Sequence, residues 1–150
     1  MISLRDSIEI QTTPQELFAW LGRMPQEYEA WHQDHVVCRV LHGSMLEVGS
    51  EIECQEYLHG KLHIMRFRMT KIVPDKRVEF EVVGMGRGTF EAQQTGDAVM
   101  FVAGLDIGYD APIIGRLFDF IFAWFFEQRI ESMRQHMVEE GENLKQLLEE

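Results

Sequence analysis

The stretch Phe126-Glu-Gln-Arg-Ile130-Glu-Ser-Met133-Arg-Gln-His136-Met137-Val-Glu-Glu140-Gly141-Glu-Asn-Leu144-Lys-Gln-Leu-Leu148 places Phe126, Ile130, Met133, Met137, Leu144 and Leu148 at alternating steps of three, four and seven, with Gly141 in the same register. That is the period of one helical face. The pattern begins after Asp110-Ala-Pro112 and continues almost to Glu150. So long a helix needs a concave surface on which to bury its stripe, and a strongly curved antiparallel sheet supplies one.

The sequence before it holds the strands for such a sheet. Residues 2–11 alternate, Ile2, Leu4, Ile8 and Ile10 against Ser3, Arg5, Ser7, Glu9 and Gln11, as a half-buried strand does. Asp6 breaks the apolar parity and reads either as an edge position near water or as an inward carboxylate with a partner, the first being favoured. Thr13-Pro-Gln-Glu16 has the form of a capping box, predicting a helix that stops near Gly22. Met24-Pro-Gln-Glu27 opens a second short helix toward Trp31. Strand-like stretches follow near 36–41, 50–58, 62–73, 77–83, 87–94 and 98–107, separated by turn signals at His42-Gly-Ser44, His59-Gly60, Pro74-Asp75, Gly84–Gly86 and Thr95-Gly-Asp97. No crossover helices intervene, so the sheet is expected to be antiparallel. The expectation is an α+β protein: seven antiparallel strands curved around a long C-terminal helix, with two short helices after the first strand, in a single domain spanning 1–150.

Composition limits the function classes. A chain of 150 residues buries about 68–70% of its unfolded surface, enough for a core and an internal pocket. Lys plus Arg number 14 against 25 Asp plus Glu, for a net charge of −11, and no basic cluster appears, which argues against a phosphate-tracking nucleic-acid surface. Met1-Ile-Ser-Leu-Arg-Asp6 lacks the features of a secretory signal, so a cytoplasmic setting is expected. Cys38 and Cys54 fit that compartment as reduced core thiols. The longest apolar run, Leu117-Phe-Asp-Phe-Ile-Phe-Ala-Trp-Phe-Phe126, falls short of a membrane span. It is apolar nearly all round, which predicts a covering loop, an apolar ligand or, as first choice, a homodimer contact. Gly84-Met-Gly-Arg-Gly88 joins two strands instead of opening a helix, so it is read as a flexible connection at a cavity mouth, not a phosphate loop.

The order of elements resembles the START, Bet v 1 and polyketide-cyclase superfamily. The resemblance rests on Ile8-Glu-Ile-Gln-Thr-Thr-Pro-Gln-Glu-Leu-Phe18, Tyr28-Glu-Ala-Trp31, Val48-Gly-Ser50 and His136-Met-Val-Glu-Glu-Gly-Glu-Asn-Leu-Lys-Gln-Leu-Leu148. It implies a helix-grip fold with an apolar cavity between sheet and helix, holding a small hydrophobic molecule: an aromatic, polyketide-like or lipid ligand. The superfamily includes carriers, receptors, cyclases and hydrolases, so fold alone does not select among them.

Five of the six histidines lie between residues 32 and 63. If His59-Gly60 is a two-residue turn, Leu58 faces Lys61, Tyr57 faces Leu62, and Glu56 lies opposite His63. Glu56 shares a face with Ile52, Cys54 and Leu58, and His63 shares one with Met65, Phe67 and Met69, so both belong on the cavity side. The pair reads either as a cross-strand ion pair at a polar end of the pocket or as part of a site. His32 and His35 share one face if their segment, at the cavity rim, is helical. His136 and Glu140, four apart on the long helix, either lean into the cavity or form a solvated pair. His42 and His59 read as turn residues, and Asp34 as a turn cap.

Histidine and carboxylate ligands drawn from a rim, two strands and the last helix suit Zn²⁺ or another borderline divalent metal. The set also resembles that of the zinc-dependent diacetylphloroglucinol hydrolases. That resemblance implies His136 and Glu140 as the helix pair, Glu56 as the strand glutamate, His32 or His35 as the early histidine, and His63 in place of a mid-chain histidine. The candidate metal ligands are therefore His35, Glu56, His63, His136 and Glu140, with His32 as proton donor. Met65, Phe67, Phe122 and Phe125 are the expected ligand-holding side chains. A metal-assisted hydrolase or lyase, a metal-free carrier or sensor, and a metal-free cyclase using Glu56 and His63 all remain open on the sequence.

Overall fold

The computed structural model describes residues 2–58, 60–108 and 114–149, and the side chains of all of these but 114–129. The elements run β1 (Ile2–Ile10), α1 (Pro14–Gly22), α2 (Met24–Trp31), β2 (His35–His42), β3 (Glu51–Leu58), β4 (Lys61–Val73), β5 (Arg77–Val82), β6 (Gly86–Thr95), β7 (Ala98–Ile107) and α3 (Ile114–Glu149). Seven strands form one antiparallel sheet in the order β1-β7-β6-β5-β4-β3-β2, leaving β1 and β2 at its edges. Pairing shifts between His35 and Val37, between Val40 and His42, and between Met69 and Lys71. Such bulges bend a strand and increase its twist. The sheet curves over α3, giving the α+β helix-grip arrangement.

Local chemistry accounts for the element ends. Thr13 caps α1, its hydroxyl accepting from the Glu16 N–H at 3.1 Å. The Glu16 carboxylate accepts from the Thr12 hydroxyl at 2.8 Å, one residue earlier than a full capping box requires. Along α3, Met133 and Leu144 are buried, while Ile130, Met137, Leu147 and Leu148 pack partly buried against the core. Gly141 lets the helix close on the sheet: a Cβ there would come within 3.1 Å of Asp6 Oδ2 and 3.4 Å of Ile8 Cγ2 on β1. Asp6 is thus half-buried on an edge strand, and burial, with the neighbouring Glu142 charge, raises its carboxyl.

Several expectations need correction. His42 ends β2, paired with Glu51, and is not a turn residue, because the strand extends one residue farther than its alternation suggests. The segment from His32 to His35 is a tight turn, not a helix: His32 has extended dihedrals, and its carbonyl accepts from the His35 N–H. Of the glycine-rich stretch, Gly84 turns the chain at φ 78°, but Gly86 and Gly88 belong to β6. A Cβ on Gly88 would fall 2.3 Å from the Phe80 ring, so that glycine makes room for an aromatic core residue. His59, the side chains of the 117–126 run with the dimer contact assigned to it, and Phe122 and Phe125 lie outside the described residues.

Candidate metal centre and its cavity

The hairpin register places Leu58 opposite Lys61, Tyr57 opposite Leu62 and Glu56 opposite His63. Glu56 is buried on the concave face with Ile52, Cys54 and Leu58. Its carboxylate meets side chains from β2, α2 and α3. Oε2 of Glu56 lies 3.2 Å from His35 Nε2 and 3.1 Å from His136 Nε2. Glu140 Oε2 lies 2.9 Å from His35 Nε2 and 3.3 Å from His136 Nε2. The two Nε2 atoms are 3.3 Å apart. Within one turn of α3, the spacing from 136 to 140 puts an imidazole and a carboxylate side by side, as the helical period dictates.

Each first partner is held by others. The His35 Nδ1–H donates to the Tyr28 carbonyl at 2.8 Å, which commits Nε2 to the cluster. The Tyr28 ring stacks on the His35 ring, centroids 3.9 Å apart and planes 7° from parallel, and its hydroxyl donates to Glu56 Oε2 at 3.2 Å. Trp31 Nε1–H donates to the Glu140 carbonyl, and Asn143 donates to the Trp31 carbonyl, both at 2.9 Å, so the end of α2 is tied to α3 beside the cluster.

The charges follow from this packing. Burial alone would lower both imidazoles, but hydrogen bonds with Glu140 and Glu56, reinforced by their charges, carry His35 up to about 9 and His136 up to about 10. Burial would raise Glu56, but the two histidines hold it down at about 2. Glu140 is lowered as well: burial opposes ionisation, and the hydrogen bonds from His136 and His35 outweigh it. Burial, Cys54 and the nearby carboxylates push the Tyr28 phenol far up, so it remains a donor. Without metal, the cluster is two imidazolium ions balanced by two carboxylates.

This donor set fits a small divalent ion. One atom from each of His35, Glu56, His136 and Glu140 lies within 4.8 Å of the others. A tetrahedral zinc with bonds of about 2.0–2.1 Å places its ligands about 3.3 Å apart, and the N···O and N···N separations of 2.9–3.3 Å need only a slight expansion. Mixed imidazole and carboxylate donors suit zinc, copper, iron or nickel better than magnesium or calcium. His32, Asp34 and His136 form a second group close enough to share an ion.

Of the other sequence candidates, His63 stands opposite Glu56 in the sheet, but the group of four closes without it. His32 is buried with its ring 4.2 Å from that of His136. Its Nδ1 accepts from the Asp34 N–H at 2.9 Å, leaving Nε2–H to donate to Glu139 Oε1, also at 2.9 Å. His32 is not among the cavity-lining residues.

A cavity of about 150 Å³ opens beside the cluster, walled at this end by Tyr28, Glu56, His136 and Glu140. Met65 and Phe67 line it, within a largely apolar surface. Met24, Met45, Met69, Met85, Met133 and Met137 line it too. The sequence pattern puts Met69 on the cavity side and Met133 and Met137 on the inner face of the helix, but gives no sign of Met24, Met45 and Met85, nor of the roles of Tyr28 and Glu139. Tyr28 stood out only as part of a fold motif, and its contacts depend on how α2 packs on β2.

Among the described residues, no helix is long and apolar enough to cross a membrane. No curated protein matches the sequence significantly. Several solved structures share the fold: ginseng major latex-like protein 151 from Panax ginseng (13% identity, TM-score 0.71, covering 98% of this chain and 97% of that one), the Aha1 dimer from Colwellia psychrerythraea (15%, 0.66, 99% and 97%), and a START superfamily protein from Mycobacterium smegmatis (11%, 0.60, 89% and 95%). At such identities the likeness is one of fold. Residues 1–147 match the family model described as polyketide cyclase / dehydrase and lipid transport, and the chain belongs to that family.

Proposed function

We propose that the protein binds a small hydrophobic ligand in its cavity and holds a divalent transition metal, zinc by preference, between His35, Glu56, His136 and Glu140. The observation that carries this reading is the convergence of those four side chains, of which Glu56, His136 and Glu140 line one end of a largely apolar cavity and His35 stands behind them. Family and fold support the hydrophobic ligand, and the cavity volume of about 150 Å³ suits a single aromatic ring. The resemblance of His136, Glu140 and Glu56 to the ligands of the diacetylphloroglucinol hydrolases supports hydrolase or lyase chemistry on a ring-bound ketone. If one of the four side chains gave up its place to a water or substrate oxygen, a bound zinc would supply a Lewis acid for a carbonyl or a water of lowered pKa; held by all four, it would be a closed, structural site. Tyr28 orients Glu56, Met65 and Phe67 hold the ring, and His32 is the candidate proton donor behind His136.

A second reading is a metal-free carrier, sensor or cyclase. It is favoured by the charge balance of the cluster, in which two imidazolium ions and two carboxylates satisfy one another. A homodimer through 117–126 and a cytoplasmic setting complete the proposal. A similar fold occurs as a dimer in the Colwellia protein.

Elemental analysis of untagged protein, followed by calorimetric zinc titration of the stripped protein, tests the metal. One equivalent bound by the wild type and lost in Glu56→Ala and His136→Ala is expected. Less than about a tenth of an equivalent as purified, with no saturable uptake afterwards, favours the carrier reading.

A further inference from the structure

We infer that Cys38 and Cys54 are a peroxide-responsive dithiol, a modification site that closes to an intramolecular disulfide between β2 and β3. The two are sixteen residues apart in the sequence, a spacing that gives no motif, yet they pair residue to residue in the β2–β3 register. Both are free thiols buried in the core. Directly opposed residues in an antiparallel pair have Cα atoms about 4.5–5.5 Å apart, within the roughly 4.4–6.8 Å that a disulfide spans. The strands need not separate or slide. Pairing shifts flank Cys38 on both sides, between His35 and Val37 and between Val40 and His42, so the edge strand has local freedom to adjust its side-chain angle. The chain contains no other cysteine, and each thiol has only the other as an internal resolving partner.

The cavity sets the order of events. Cys54 lines it and Cys38 does not. A small uncharged oxidant such as hydrogen peroxide, admitted to the cavity, meets the sulfur of Cys54 first. That sulfur attacks one peroxide oxygen and the O–O bond breaks. The departing hydroxide takes the thiol proton as water, leaving Cys54 as a sulfenic acid. The sulfur of Cys38 then attacks the sulfenic sulfur, the S–O bond breaks, and the hydroxide leaves as a second water with the Cys38 proton. Two thiols are oxidised and one peroxide is reduced to two waters.

The test uses the full folded chain with hydrogen peroxide as the probe, excess peroxide being removed before denaturation and thiol counting. Trypsin separates the cysteines into peptides 24–39 and 40–61, so a non-reducing peptide map reads the product directly. The expected result is parallel loss of both thiols, one linked pair of these peptides lighter by two hydrogens, and no covalent dimer. Cys38→Ser is expected to accumulate a sulfenic acid at Cys54 that dimedone traps, while Cys54→Ser leaves Cys38 reduced under the same treatment. Circular dichroism checks that each variant is folded. Retention of both thiols in the folded wild type, at a dose that oxidises the urea-unfolded chain, overturns the inference. So do disulfides formed only between chains, or equal oxidation of Cys38 in the Cys54→Ser variant. If a serine variant does not fold, the wild-type peptide map alone decides.

Discussion

The Nε2 atoms of His35 and His136 stand 3.3 Å apart, each facing the same two carboxylates, although 101 residues of chain separate them. Two imidazolium groups hold this distance only because Glu56 and Glu140 stand between their charges. Any ion bound there replaces two protons.

Zinc affinity should therefore rise steeply with pH. With His35 at about 9 and His136 at about 10 in the metal-free protein, each ion bound near neutrality releases two protons, and the association constant should climb about 100-fold per pH unit. Competition titration with a chromophoric chelator at pH 6, 7 and 8 measures the slope. A slope near zero would mean that the ion binds elsewhere.

Stability of the stripped protein should run the other way. The raised histidines contribute stability fully below the unfolded value of about 6.5, and that contribution is lost as pH rises through 9 and 10. The depressed Glu56 contributes above its unfolded value of about 4.5 and loses its effect as pH falls through about 2. The cluster thus favours the metal-free fold most between about 4.5 and 6.5, and the thermal midpoint should drop by on the order of 5–10 °C between pH 6.5 and 10. Scanning calorimetry of chelator-treated protein follows it. Saturating zinc should reverse the trend near neutrality.

Tyr28→Phe removes the hydroxyl that donates to Glu56 but keeps the ring stacked on His35 and the carbonyl that accepts from it. Loss of such an outer partner typically weakens metal binding about 10–100-fold. The fold should survive. Tyr57→Phe, at an exposed position on the same hairpin, should leave affinity unchanged, and equal losses in both variants would remove Tyr28 from the positioning role.

Glu56→Gln should destabilise the metal-free protein by about 3–5 kcal/mol at pH 6, the usual cost of leaving a buried charge without its partner. Urea unfolding at pH 6 and pH 10 distinguishes this from a packing defect. The cost should shrink at the higher pH, where His35 and about half of His136 have lost their protons.

Gly88→Ala should cost about 1–3 kcal/mol by overpacking, since the new methyl meets the Phe80 ring. Phe80→Leu in the same chain should recover part of that loss, measurable as a double-mutant coupling in urea unfolding.

The strand and helix pattern was legible because it depends on local periodicity. Alternation located β1, strand-like stretches between turn signals located the other six strands, the steps of three and four located α3, and the His59-Gly60 turn with parity set the Glu56–His63 register. The site was legible only in part. Hairpin register and parity put Glu56 on the concave face, and spacing and resemblance make His35, His136 and Glu140 candidates beside it, but parity cannot say how a long carboxylate turns once it is there. Glu56 turns toward His35 and His136. The tight turn at 32–35 and the packing of Tyr28 on His35 are tertiary facts with no local signature. Likewise, the opposition of Cys38 and Cys54 depends on a register set across the β2–β3 connection, whose turn chemistry fixes no simple two-residue geometry.

Because Glu140 reaches His35 across 105 residues and Trp31 is tied to the same turn of α3, the cluster assembles only when the last helix docks. Contacts of such long sequence separation carry a loop-closure cost before they return any stability. The hairpins can zip first, but the four charges cannot be sealed from water until the C-terminal residues of the helix have been made. A nascent chain stalled before residue 140 would carry His35 and Glu56 on its concave sheet without the Glu140 that closes the group.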